Sequence, residues 1–194
     1  AKQQKAQGLQ PEILCTAALD KVGMEVVDGI TIRRFPYLYP YFPMPVRDKL
    51  ALDKKGGNPY SPRLINTLKN GCYDIFHIHT GGRLANTALR VAKKLAVPTL
   101  MTLHSGSCAI PQQEMELMLK PLKHKFSYGG IVDRLCRMRK TPESQADVLL
   151  ALSREEVEKL KKRYPEKQVE LFPNGILHRE LPEAGNFCKK CNIS

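Results

Sequence analysis

The chain has 194 residues, of which 42% are apolar, enough for one ordinary globular domain with a core. Its apolar runs are all far shorter than the ~20 residues that cross a bilayer, and residues 1–5 lack the apolar segment of a secretory signal. We therefore expect a cytoplasmic protein. The 31 Lys and Arg against 19 Asp and Glu give a net charge of +12, which favours anionic partners.

Short apolar runs alternate with amphipathic segments along the chain, a pattern typical of an α/β protein with a doubly wound, mostly parallel sheet. Residues 1–7 are predicted to be helical, with Gly8 as the residue that ends the helix. Strands are predicted at Glu12–Thr16 and at residues 29–35. The proline- and tyrosine-rich residues 36–45 favour an irregular loop.

The second half of the chain continues the same alternation. Helices are predicted at Pro62–Asn70, at residues 83–95, and at residues 112–139 with interruptions at Pro121 and at Gly129 and Gly130. Strands are predicted at residues 73–79, 98–103, 146–152 and 168–172. Ser153 begins a further helix, because it forms a capping box with Glu156.

Parallel strands end at one edge of a sheet, and ligands bind outside that edge. The first turn there is His79-Thr80-Gly81-Gly82, whose glycines let the backbone approach a ligand beside the start of a helix. His77 and His79 share one face of their strand. The two imidazoles can bind a metal, a hydroxyl or a phosphate; alternatively, Thr80 caps the helix and His77 is an ordinary core residue.

The second turn is His104-Ser105, after a mostly apolar strand. The imidazole of His104 can donate a hydrogen bond to a leaving phosphate or to a substrate hydroxyl near neutral pH. The serines here lack the G-x-S-x-G pattern of a nucleophile elbow, and the sequence contains neither a P-loop nor a G-x-G-x-x-G motif. The third turn follows Leu152.

The six cysteines are irregularly spaced, which favours reduced, mostly buried thiols over a disulfide framework. Cys188 and Cys191 have the spacing of half a zinc site, and His178 lies upstream. A structural zinc ion needs four ligands. A Cys/Cys/His site would supply only three of them, so we expect no zinc site here.

Four segments, taken in order, resemble the group 1 retaining glycosyltransferases of the GT-B fold. They are D-I-F-H-I-H-T-G-G at residues 74–82, P-T-L-M-T-L-H-S-G at 98–106, A-D-V-L-L-A-L-S at 146–153 and F-P-N-G-I at 172–176. The resemblance implies a Rossmann-like domain at residues 1–175 that holds the acceptor side of a nucleotide-sugar-dependent enzyme. It implies that His104 contacts the transferred sugar and that His79, Thr80, Gly81, Gly82 and Ser105 line the acceptor site.

The resemblance implies that neither a metal ion nor a bound cofactor is required, because GT-B relatives stabilise the leaving diphosphate with basic side chains and helix dipoles. It also implies parts outside this chain. Asn174 and Gly175 are expected at the hinge toward a donor-binding domain, with residues 176–194 as the link to it. The family's first strand and its Gly-rich loop have no counterpart here, and the C-terminal domain with its paired glutamates is not included. We expect a fragment that is inactive alone, acting in its parent protein on a glycan or lipid-linked acceptor.

Several alternatives remain open. A GT-B-fold nucleotide-sugar epimerase would use the same domain, and the positive charge also fits a non-catalytic basic binding module. Nucleic acid is not expected, because the aromatic cluster at residues 37–42 contains no Lys or Arg. The Met- and Leu-rich residues 114–126 favour peripheral association with the inner face of a membrane, although a lid or a core segment would have the same composition.

Overall fold

A computed structural model describes residues 1–103, 112–139 and 141–174. The helices are α1 (Lys2–Ala6), α2 (Val46–Lys54), α3 (Pro62–Asn70), α4 (Gly82–Leu95), α5 (Gln112–Leu119), α6 (Gly129–Leu135) and α7 (Arg154–Arg163), with 3-10 turns at Lys120–Leu122 and Pro142–Gln145. The strands are β1 (Glu12–Thr16), β2 (Gly23–Val27), β3 (Ile30–Phe35), β4 (Tyr41–Phe42), β5 (Phe76–Ile78), β6 (Thr99–Thr102), β7 (Phe126–Ser127), β8 (Val148–Ala151) and β9 (Gln168–Leu171).

A four-stranded parallel sheet with the order β5-β6-β8-β9 forms the centre of the fold. β5 leads into α4, and β8 leads into α7. Strands that are joined through helices become parallel, and the two faces of such a sheet are covered by those helices. This sheet and its helices confirm the predicted Rossmann-like α/β class, consistent with the N-terminal half of a GT-B fold.

A second sheet has the order β1-β3-β2, in which β1 and β3 are parallel and β2 is antiparallel to β3. The prediction for residues 29–35 is confirmed as β3, but β2 was not predicted. Asp28 and Gly29 both have positive φ and join β2 to β3 as a tight hairpin. All residues of β2 are exposed, so its sequence does not show the apolar pattern of a buried strand.

Large apolar side chains from both sheets and from α3 and α4 share one core. Met101 of β6 and Leu149 of β8 are fully buried at its centre. Leu68 of α3 and Leu89 of α4 cover them, and Phe35 extends the core to the second sheet. Burying a side chain of this size stabilises the fold by about 1.5–3 kcal/mol, so this core holds the strand ends in place.

Residues 36–45 contain more regular structure than predicted, whereas residues 112–139 are less uniformly helical than predicted. β4, within the predicted loop, pairs with β7. The predicted long helix is divided into α5, a 3-10 turn, β7 and α6. The predicted interruption at Pro121 is confirmed, because Pro121 lies in the 3-10 turn that follows α5. The predicted interruption at Gly129 and Gly130 is wrong, because both begin α6 and the helical segments are separated at residues 123–128. The capping box is confirmed, because the Glu156 N–H donates to Ser153 Oγ at 3.2 Å.

Three cysteines lie within the described residues, and all are free thiols. This confirms the predicted reduced state for Cys15, Cys72 and Cys136. The expectation of burial is wrong for Cys72, which is exposed, while the other two are half-buried. Cys188, Cys191 and His178 lie outside the described residues.

Candidate functional site

The first predicted turn lies at the carboxyl edge of the parallel sheet. β5 ends at the buried Ile78, and His79, Thr80 and Gly81 follow it as exposed residues before α4 begins. Gly81 is the N-cap residue of α4, and its helix start has no side-chain cap hydrogen bond. Thr80 is therefore not the cap of this helix, so the alternative explanation for that residue is wrong.

His77 and His79 stack beside each other at this edge. Their ring centroids are 4.0 Å apart with an interplanar angle of 36°, which confirms that they share a face. Nε2 of His77 lies 2.7 Å from Oγ1 of Thr102, the last residue of β6. His77 is half-buried and held between two strands, whereas His79 is exposed. The geometry favours a positioning role for His77 and leaves His79 as the side chain that a ligand would meet.

The two glycines of the turn have different structural surroundings. Gly82 has φ of +66°, and a Cβ at this position would lie 2.3 Å from Oδ1 of Asn58. The same Oδ1 accepts the N–H of Arg83 at 2.8 Å, so backbone conformation and packing both require a glycine at position 82. Gly81 has an ordinary φ of −98° and open space around its missing Cβ. Neither constraint therefore applies to Gly81.

The side chain of Arg83, the second residue of α4, holds the start of this helix against neighbouring segments. Its Nε and Nη2 atoms donate to the two carboxylate oxygens of Asp133 at 2.7 and 3.0 Å. Its Nη1 donates to the carbonyl oxygen of Asn58 at 2.8 Å. A buried guanidinium in a two-point pair is rigid, because its planar fork matches the carboxylate. This contact orients the turn at residues 79–82, and nothing in the sequence pairs Arg83 with Asp133.

A groove separates β1 from β5, which pair on their other edges with β3 and β6. Thr16 and His79 line its upper end, and Cys15 lines its wall. Burial raises the pKa of the Cys15 thiol. Both flanks are sheet edges, whose backbone groups can accept a further strand. The groove by itself therefore does not define a ligand site.

The lower end of the groove is closed by a hydrogen bond. The Tyr73 hydroxyl donates to Oε2 of Glu12 at 2.5 Å, and Glu12 also pairs with Arg33. Burial, followed by the hydrogen bond and the negative charge of Glu12, raises the pKa of Tyr73 to about 12. The sequence did not indicate this contact, which ties the second sheet to the segment before β5.

Of the remaining predicted site residues, the structure describes only Asn174. His104, Ser105 and Gly175 lie outside the described residues, as do residues 176–194. Asn174 is exposed shortly after β9, at the carboxyl edge of the sheet. In the described part of the chain, the His, Cys, Asp and Glu side chains form no group of three or more that could hold a metal ion.

A Rossmann-like sheet with an exposed His-Thr-Gly-Gly turn at its carboxyl edge defines the class of α/β domains that bind ligands outside the strand ends. The chain matches the model of Glycosyltransferase Family 4 over residues 1–179, and it belongs to that family. It is therefore a glycosyltransferase domain. The comparison with curated proteins found no matching relative.

Proposed function

We propose that this domain holds the acceptor in an enzyme that transfers a sugar from a nucleotide-sugar to a glycan or lipid-linked acceptor with retention of configuration. The family match over residues 1–179 carries the general activity. The acceptor role is supported by the exposed turn at residues 79–82, which lies where ligands of parallel sheets bind. The nucleotide-sugar is the donor substrate, and no bound cofactor or metal is part of the proposal.

In this proposal His79 and Thr80 hydrogen-bond the acceptor, while Gly81 lets the acceptor approach the backbone. The exposure of all three residues supports this role. α4 begins directly after them, and its 14 residues place the positive end of a helix dipole at the turn. Oxygen-rich sugars and phosphates are ligands that such a helix end binds.

We propose that His104 contacts the transferred sugar and stabilises charge as the bond to the leaving diphosphate breaks. In the sequence it follows Thr102, the end of β6, by two positions, and β6 is the neighbour of β5. The link between His77 and Thr102 at that strand end supports a shared edge for His79 and the segment that contains His104. Ser105 stays an acceptor-side prediction, and Asn174 and Gly175 stay hinge predictions.

A lipid-linked acceptor would bring the enzyme to the inner face of a membrane. No helix within residues 1–103, 112–139 and 141–174 is long and apolar enough to cross a bilayer. In this proposal the enzyme contacts the membrane peripherally.

Product analysis of the protein made from its complete gene tests the proposal. The protein is incubated with a panel of nucleotide-sugars and with glycan or lipid-linked acceptors. We expect free nucleoside diphosphate together with a glycoside whose anomeric configuration equals that of the donor. An isomerised nucleotide-sugar without a glycoside would instead identify an epimerase, and an inverted glycoside would contradict retention.

A further inference from the structure

Exposed apolar side chains collect where β4, β7 and the first turn of α2 meet. Phe42 and Phe126 lie directly opposite each other in the antiparallel pair of β4 and β7, and they are 69% and 67% exposed. Val46, the first residue of α2, is also exposed. Two phenylalanines side by side in water are unfavourable unless they serve an interaction.

Contacts between these elements fix the surface as one unit. Nζ of Lys125 lies 2.6 Å from Oδ2 of Asp48, which joins the first turn of α2 to the residue before Phe126. α2 also packs against the 3-10 turn at Lys120–Leu122. We call this unit the basic apolar surface; its members are Phe42, Val46, Arg47, Lys120, Lys123 and Phe126.

Acidic side chains in the segments that carry this surface are all engaged with other residues. Residues 41–55 and 117–139 contain three of them: Asp48, Asp53 and Asp133. Asp48 pairs with Lys125, and Asp133 pairs with Arg83. The buried carboxylate of Asp53 accepts the hydroxyls of Tyr37 and Tyr39 at 2.6 and 2.9 Å. These acids therefore do little to offset the cations that face solvent.

Several basic side chains of the same segments are exposed, among them Arg47, Lys120 and Lys123. Arg47 lies beside Val46 in α2, and Lys120 and Lys123 flank the 3-10 turn that leads to β7. The acids of these segments are thus paired with partly buried cations, whereas Arg47, Lys120 and Lys123 face solvent. Exposed positive charges and exposed apolar side chains therefore occur together in these segments.

We propose that the basic apolar surface docks on an anionic lipid bilayer. Phenylalanine and valine side chains would enter the boundary of the acyl region, while lysine and arginine would contact lipid phosphates. Protein interfaces are depleted in lysine, so a partner protein fits this composition less well. This surface would supply the peripheral membrane contact. Its charge and exposure favour a bilayer whatever the acceptor of the enzyme is.

Flotation with lipid vesicles tests the inference. The protein is mixed with vesicles of phosphatidylcholine alone or of phosphatidylcholine with phosphatidylglycerol. We expect binding to the anionic vesicles, reduced by salt. The double variant K120A/K123A should weaken binding by roughly fivefold for each lysine. The double variant F42S/F126S should weaken it by roughly tenfold for each phenylalanine.

Matched controls carry the same changes on other exposed surfaces. K161A/K162A removes two exposed lysines from α7, and M24S/V26S removes two apolar side chains of β2 that are 66% and 65% exposed. We expect both controls to bind like the unchanged protein. Equal losses in controls and test variants, or no binding to anionic vesicles, would overturn the inference.

Two further measurements keep the outcomes distinct. Circular dichroism checks that each variant is folded, and K120A/K123A remains informative if F42S/F126S is not. Single-stranded oligonucleotides that displace the vesicles, and whose binding K120A/K123A abolishes, would identify a nucleic-acid surface instead. A protein that transfers sugars normally without binding vesicles contradicts this inference and leaves the proposed function intact.

Discussion

Nε2 of His77 and Oγ1 of Thr102 lie 2.7 Å apart, and this contact joins the ends of β5 and β6 at the edge where a ligand would bind. The two residues belong to different predicted strands, and Thr102 is buried. Because each strand end is followed by a segment proposed to act in glycosyl transfer, the contact sets their spacing.

A double-mutant cycle with H77A and T102V measures this contact. Each single change removes one of the two groups that make the contact. We therefore expect the two changes to be coupled by at least ~0.5 kcal/mol in the free energy of unfolding, measured in urea. The conservative T102S keeps the hydroxyl and should retain most of the coupling. Stability changes that add within ~0.3 kcal/mol would show that the contact contributes nothing.

His79 and Thr80 provide a test of the acceptor side. H79A and T80A each remove one hydrogen-bonding group from an exposed turn. We expect the KM for the acceptor to rise roughly three- to tenfold, the range of one lost hydrogen bond, with an unchanged KM for the nucleotide-sugar. T80S, which keeps the hydroxyl, is the control. Equal changes in both KM values would argue against a specific acceptor role.

Gly81 and Gly82 separate a functional glycine from a structural one. G82A places a side chain at positive φ and against Asn58, so we expect a loss of about 1–3 kcal/mol in the free energy of unfolding. G81A meets open space and should change that free energy by less than ~0.5 kcal/mol. The KM for the acceptor should nevertheless rise in G81A. A normal KM would remove Gly81 from the site.

Tyr73 makes the free energy of unfolding depend on pH in the alkaline range. Its pKa is about 12 in the folded protein, above the ordinary value of 10.0, so the folded state retains a proton that the unfolded state loses. The contribution of Tyr73 is therefore complete below pH 10 and is lost as the pH rises toward 12. Y73F should be less stable by ~1 kcal/mol at neutral pH and should lose less stability over that window. Parallel pH profiles for the two proteins would contradict this origin.

The local elements were largely predictable from the sequence. β1 and α3 begin and end where the apolar pattern places them, and Ser153 caps α7 as its spacing with Glu156 indicates. Such features depend on neighbours along the chain. α2 was not predicted, because only Leu52 of its side chains is buried and the segment has no clear apolar stripe at helical spacing.

β2 has a local signal in the sequence at the turn that follows it. The Asp28-Gly29 pair is a strong sign of a two-residue hairpin turn. The site contacts are different in kind. The pairs Arg83–Asp133 and Tyr73–Glu12 join residues far apart in sequence, so they follow from the packing of whole elements and leave no local pattern.

The central claim is that this domain takes part in sugar transfer through His104. The most direct measurement is the rate of glycoside formation by H104A, in the protein made from its complete gene, with folding checked by circular dichroism. We predict a loss of transfer of at least roughly a hundredfold, the lower range for removing a group that acts in the transition state, with an unchanged spectrum. A folded H104A protein that transfers sugar at the unchanged rate would contradict the account.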